Sequence, residues 1–245
     1  MLLLGIILGF IGAGGSGFII AILVTLFNIP IHFALGTAVM VMFFSVLVGS
    51  LTHYRGKNLA FKQGIVIGLF GGIGAYGGSQ LTKLIDSELL LVFTMCSLFF
   101  SGVVLWIRTN IKTAEGNSKL SESGWNIKCA VIGIGNGIIS GSFGIGGAPF
   151  IQISLIKWLS YPIRLAAGTT MLIILPISLS ASLGFIQNGF VDFHLFFKVI
   201  SGVIIGTYLG ARLTSILPSA ILRYGMVLTP FASGGLILFG LITNS

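Results

Sequence analysis

The chain carries one pattern twice. Gly12-Ala13-Gly14-Gly15-Ser16-Gly17-Phe18-Ile19 returns 132 positions later as Gly144-Ile145-Gly146-Gly147-Ala148-Pro149-Phe150-Ile151. The same ungapped shift pairs Pro30 with Pro162, Ala34 with Ala166 and Gly36-Thr37 with Gly168-Thr169. It continues through Phe61 and Phe193, Gly74 and Gly206, Tyr76 and Tyr208, Gly78 and Gly210, and Leu81-Thr82 and Leu213-Thr214. Such self-similarity restricts the fold to two like units packed on one another. Where the unit is hydrophobic and glycine interrupts it at corresponding places, the pattern points to a secondary transporter with its site where the breaks meet.

The hydrophobic condition holds. Of 245 residues, 55% are hydrophobic and 7% charged, and the mean hydropathy is +1.09. Soluble domains carry about 25% charged residues, so this composition belongs in a bilayer. The net charge of +8 and pI of 9.8 would suit a nucleic-acid binder, but the basic residues stand singly or in small groups between apolar runs. That is the distribution of a membrane protein with a positive inner face, and nucleic acid is excluded as a partner. Cys96 and Cys129 have neither CxxC nor metal-ligand spacing and are expected to be ordinary buried thiols. The apolar N-terminus lacks a basic n-region, and its glycine end is copied in mid-chain, so it is expected to be structural rather than a signal peptide.

The apolar runs are 2–28, 32–52, 61–82 and 88–108 in the first repeat (1–108), and 127–159, 164–186, 193–216 and 219–241 in the second (127–245). A polar linker, 109–126, separates them. Six runs approach the ~20 residues that span a hydrocarbon core. The first run of each half, 2–28 and 127–159, is split by glycine into pieces of about a dozen residues, each about half the ~30 Å core. A split run crosses once or re-enters, and charge separates the two. Single crossing gives both halves one orientation and divides Lys and Arg 8 to 5. Re-entry inverts the second half and divides them 11 to 2, leaving only Lys83 and Lys198 on the side of Asp86, Glu88 and Asp192. The second split is what the positive-inside rule expects. The expected fold is therefore an all-α polytopic membrane protein of two inverted repeats. Each is a broken re-entrant hairpin plus three transmembrane helices, with the linker cytoplasmic and both termini outside.

Non-helical backbone at membrane depth survives only where protein buries it or a wet cavity adjoins it. Glycines at 12, 14, 15 and 17, and at 144, 146 and 147, permit left-handed turns and close backbone approach. The half-helices after the breaks are expected to begin near Gly17 and Pro149, turning free N–H groups and positive dipole ends to the midplane. The glycines at 68, 72, 74, 78, 202, 206 and 210 read instead as close helix packing. Substrate contact is expected from Gly14, Gly15, Ser16, Gly17, Thr37, Gly146, Gly147, Ala148, Gln152, Thr169 and Thr170. Asn136, Ser140 and Ser142 are further polar groups near the second break, and Gln152 has only Ile20 as its equivalent. Hydroxyls and amides can donate to a sulfite, sulfonate or carboxylate oxygen, although Ser and Thr in membranes often bond back to their own helix. No Asp or Glu lies deep in a run, and His32, His53 and His194 fall at segment ends. With no nucleophile–base set, no P-loop and no zinc spacing, the chain reads as neither an enzyme nor a cofactor or metal binder.

At the two GxGG segments, each followed by proline and then Ala-x-Gly-Thr, the chain closely resembles the sulfite exporter TauE/SafE family. The residues are Gly12 to Gly15, Pro30 and Ala34 to Thr37, then Gly144 to Pro149, Pro162 and Ala166 to Thr170. The first motif departs at Ser16-Gly17, where members commonly have glycine and proline. The resemblance implies a small duplicated transporter of the cell inner membrane that exports a small sulfur-containing anion such as sulfite, a sulfonate or a sulfo-carboxylate. A passive anion channel and a thiosulfate-type importer are the alternatives. The expected partners are that anion and the lipid bilayer. No segment reads as an oligomer interface, and a homodimer is carried as a bare expectation.

Overall fold

The computed structural model describes residues 2, 5–6, 16–56, 59–110, 125–145, 147–159, 161–216 and 219–244. All the regular structure in this part is helical: α1 (Ser16–Thr25), α2 (Ile31–Arg55), α3 (Phe61–Thr82), α4 (Ser87–Asn110), α5 (Trp125–Phe143), α6 (Ala148–Trp158), α7 (Ile163–Gln187), α8 (Phe193–Ile216) and α9 (Ser219–Asn244). The repeated prolines set two of the starts. Pro30 and Pro162 hold the N-cap positions of α2 and α7, where a missing N–H costs nothing. Four described helical stretches are long and apolar enough to cross a membrane: Ile31–Arg55, Ser87–Val104, Leu165–Gln187 and Phe193–Gly210. α3 is as long, but glycines at 64, 68, 71, 72, 74, 77 and 78 lower its hydropathy.

Contacts between the halves obey the same shift of 132 as the sequence. A Cβ built on Gly74 would meet the Ile134 carbonyl, and one built on Gly206 would meet the Leu2 carbonyl. A Cβ on Gly102 would lie 3.0 Å from the Phe231 ring, and one on Gly234 3.0 Å from the Phe99 ring. These pairs also fix direction. Gly36 abuts Phe185 and Phe190 while Gly49 abuts Met171, so the equivalent helices α2 and α7 run antiparallel. Phe99 facing Gly234 and Gly102 facing Phe231 make α4 and α9 antiparallel in the same way. α3 runs parallel to α7, because Gly64, Gly68 and Gly72 meet Leu172, Pro176 and Ser180 in turn.

The centre of the molecule is α2 and α7, whose buried side chains include Leu35, Met42, Val46, Met171, Ile174 and Ile177. The outer surface is as apolar as the core. Leu69, Ile73, Phe100, Phe197, Leu228 and Phe239 are all exposed, which a water-facing protein would not sustain as a continuous coat. Cys96 corrects an expectation. Cys129 is buried, but Cys96 sits exposed on α4, where a small soft side chain meets hydrocarbon without loss. The arms of the second broken run are also unequal: α5 has 19 residues and α6 has 11, because helix reaches back to Trp125.

Candidate functional site

The second break folds the chain back on itself. Gly144 and Gly147 have φ of 63° and 61°, a region where an L side chain is strained, so glycine is required at both. Gly147 packs against the turn before the break: a Cβ built there would lie 3.2 Å from the Asn136 carbonyl and 3.5 Å from Ser140 Cβ. Ile132, Gly135, Asn136 and Ile139 of α5 line a groove, open to the surface and about 290 Å³ in volume, together with Phe150 and Ser154 of α6. A helix continuing straight past the break would carry Ser154 about 28 Å from Gly135. α5 and α6 therefore form a hairpin.

α6 starts at Ala148 with Pro149 in its first turn, and no side chain caps it. Its opening N–H groups and positive dipole end lie beside Gly147. The opening of α1 meets the second break here. A Cβ on Gly17 would lie 3.3 Å from Ile145 Cγ2, and one on Gly144 3.2 Å from Ile20 Cδ1. α1 begins at Ser16, so the opening turn of one half-helix rests on the break that precedes the other. Gly14, Gly15 and Gly146 lie outside the described residues.

The polar groups divide by what they already bond. Ser16 Oγ, Ser140 Oγ, Thr170 Oγ1 and Asn136 Oδ1 are buried and have no hydrogen-bond partner. Buried polar atoms are nearly always satisfied, so each of the four could take a bond from a ligand or water; Thr94 Oγ1 and Ser182 Oγ are in the same state. Asn136 Nδ2 donates to the Ile132 carbonyl at 2.6 Å. Ser142 does a different job: its hydroxyl donates to the Gly78 carbonyl at 3.2 Å and helps fasten α5 to α3. Ser79, Ser101 and Ser154 bond back to their own helices. Gln152 is buried on the second turn of α6.

Thr37 and Thr169 are used across the repeat. Asp192 N–H donates to Thr37 Oγ1 at 3.1 Å, and Ala60 N–H donates to Thr169 Oγ1 at 3.0 Å. Both the threonines and the donors are 132 residues apart, so each half supplies the acceptor for the backbone that leads into a long helix of the other. A hydroxyl that accepts still has its own hydrogen to donate. The residues that sequence reasoning passed over are Gly135, Phe150 and Ser154, the walls of the hairpin groove. Their signal was present as a departure from the repeat: Gly135 and Asn136 stand where the first half has Leu3 and Leu4.

A family model described as sulfite exporter TauE/SafE matches residues 1–237. The chain is 44% identical over 239 residues to a probable membrane transporter protein, YdhB, of Bacillus subtilis, covering 98% of each chain. It is 28% identical to a probable membrane transporter protein of Xylella fastidiosa, covering 87% of this chain and 82% of that one. With the probable membrane transporter protein MJ0441 of Methanocaldococcus jannaschii it shares 29% identity, over 70% and 66% of the two chains. No solved structure matches the chain. Apolar helices, a lipid-compatible surface and a match across nearly the whole length make this a membrane transporter and not an enzyme, and the chain belongs to the sulfite exporter TauE/SafE family.

Proposed function

We propose that the protein exports a small sulfur-containing anion across the cytoplasmic membrane and binds it near the midplane, where the two breaks meet. The observation that carries this reading is the N-terminus of α6. It has no side-chain cap, follows a left-handed Gly147, and adjoins the buried, partnerless hydroxyl of Ser140. An anion there takes backbone N–H groups and the helix dipole without needing a buried cation. Ser16, Gly17, Gly147, Ala148, Gln152 and Thr170 would contact it, with Gly14, Gly15 and Gly146 completing the turns. Thr37 and Thr169 would frame it with the hydrogens their hydroxyls retain.

The architecture we propose is an inverted repeat of six spanning helices and two re-entrant hairpins, in the inner membrane. Antiparallel packing of the equivalent pairs α2/α7 and α4/α9 supports inversion, since halves in one orientation would send equivalent helices the same way. An inside-negative potential favours exit of an anion by about 2.3 kcal/mol per charge per 100 mV. A thiosulfate importer would need a thiol on the path. Cys96 is on the outer surface, and Cys129 is 15 residues before Gly144 on α5, about 22 Å along the helix.

The test is uptake into proteoliposomes of sulfite, sulfate, thiosulfate, sulfoacetate and taurine. Saturable flux of a sulfur anion, retained in a Cys96→Ser/Cys129→Ser variant, is the expected result. Single-channel currents would make the protein a channel, and loss of flux without the thiols would restore the importer reading.

A further inference from the structure

The groove between α4, α5 and α6 is apolar along its length and open to the outer surface. Val104 of α4 lines it with Val131 and Ile139 of α5 and Phe150, Ile153 and Trp158 of α6. Its two polar residues offer a guest little. Ser154 donates to the Phe150 carbonyl at 2.9 Å, and Asn136 Nδ2 donates to the Ile132 carbonyl while its Oδ1 is buried. A Cβ built on Gly135 meets nothing within 4 Å, whereas Gly133 and Gly137 abut the backbone of α3. Gly135 is therefore not a packing glycine; its missing side chain deepens the groove.

The groove has a direction. The Phe100 ring lies 6.1 Å from that of Phe150, so α4 passes the break end first and runs with α6 toward Trp158. α5 runs the other way, as the hairpin requires. Ile139 to Val131 is eight residues or about 12 Å, close to the ~15 Å that one leaflet of a ~30 Å hydrocarbon core provides.

All three helices carry a basic residue one turn beyond the lining, at the same end. Arg108 follows Val104 by four positions on α4, Lys128 precedes Val131 by three on α5, and Lys157 follows Ile153 by four on α6. Residues three or four apart share a helix face. No Asp or Glu lies on α5 or α6, and Glu88 of α4 is at its opposite end. Lys157 is exposed, and Trp158 beside it is 40% exposed, the placing of an aromatic at a membrane–water boundary. The first half brings the equivalent ends together without charge. The shift of 132 pairs Lys157 with Thr25 and Arg108 with Gly240, and a Cβ on Gly240 would meet Thr25 Cγ2.

We propose that this groove is a site for an anionic phospholipid, with one acyl chain along Gly135 and the phosphate held at Arg108, Lys128 and Lys157. The apolar length alone would take any acyl chain; basic residues converging at one end select a negative headgroup, each tightening binding about fivefold. A second copy packed here about a two-fold axis would set those like charges against one another. The site is independent of the one proposed for substrate, since Ser140, Gly147 and Ala148 are not in its lining.

The experiment is native mass spectrometry of the full chain, titrated with dioleoyl-phosphatidylglycerol, dioleoyl-phosphatidylcholine or glycerol phosphate, the headgroup alone. Phosphatidylglycerol is expected to bind about tenfold or more tighter than phosphatidylcholine, and Lys128→Gln/Lys157→Gln to remove that difference. Gly135→Leu, which clashes with nothing and favours helix, should fill the groove and weaken both lipids. Arg55→Gln, at the end of α2 and outside the groove, should change neither. Equal affinity for the two lipids, or as large a loss from Arg55→Gln as from the double variant, overturns the headgroup site. Lipid binding untouched by Gly135→Leu, or glycerol phosphate binding as tightly as phosphatidylglycerol, overturns the acyl-chain groove. A dimer that excludes lipid and that Gly135→Leu breaks up overturns both and gives the groove to a second copy.

Discussion

A single hydroxyl does work for the opposite half of this chain. Thr37→Val removes the acceptor of the part-buried Asp192 N–H, and Thr169→Val removes that of Ala60 N–H. An unsatisfied backbone donor costs about 1–3 kcal/mol when buried, less where water reaches it. Each variant should therefore lower the thermal midpoint by a similar amount, because the two bonds are equivalent; one harmless and one severe substitution would contradict that equivalence. Gly147 is tied to binding instead. Alanine there must keep φ at 61°, a cost of about 1–2 kcal/mol, and set its Cβ 3.2 Å from a helix carbonyl that has little room to yield. We expect Gly147→Ala to fold and insert but to lose anion binding measured on purified protein. Gly77→Ala, whose Cβ meets nothing within 4 Å, is the comparison and should bind normally.

At the scale of elements, α3 and α5 show what spacing can and cannot disclose. Gly133, Gly137 and Gly141 repeat every fourth residue and abut the carbonyls of Ile67, Gly71 and Ala75, so the two helices run parallel with their backbones nearly touching. Alanine at Gly141 would force the pair apart. Its midpoint should fall well below wild type, whereas Gly77→Ala, on the free face of α3, should be neutral or gain up to about 1 kcal/mol from helix propensity. Equal melting of the two variants would show that the contact contributes nothing. The α3 half of this interface was legible, because glycines at 74 and 78 have the spacing of close-packed helices. The α5 stripe carried the same signal but lay in a run dominated by the break at Gly144, which drew the functional reading. The all-helical character was legible from hydropathy, and the left-handed Gly144 and Gly147 from the motif. The crossing of Thr37 to Asp192 was not, since no local pattern tells a helix which distant N–H its hydroxyl will meet. The groove at Gly135 was equally hidden, for a glycine that packs and a glycine that leaves space look alike until the neighbouring helix is in place.

For the whole molecule the decisive relation is the direction of equivalent helices. α2 and α7 are antiparallel, and both are long and apolar enough to cross a bilayer. If both cross, residue 31 and residue 163 begin on opposite faces, so an odd number of crossings separates corresponding points of the two halves. The linker at 109–126 must then lie on the face opposite Ser245. On the proposed inversion the charge count separates 11 basic residues from two, and we expect the linker in the cytoplasm and Met1 and Ser245 outside. Single cysteines at Ser118 and Ser245, in the Cys96→Ser/Cys129→Ser background, are expected to react with a membrane-impermeant maleimide from opposite sides. In intact cells the Ser245→Cys protein labels and the Ser118→Cys protein does not, and permeabilisation reverses the second result. Labelling of both from one side would place the two halves in a common orientation. The α2/α7 contact could not then form between spanning helices, and the proposed meeting of the breaks at the midplane, with the proposed anion site, would go with it.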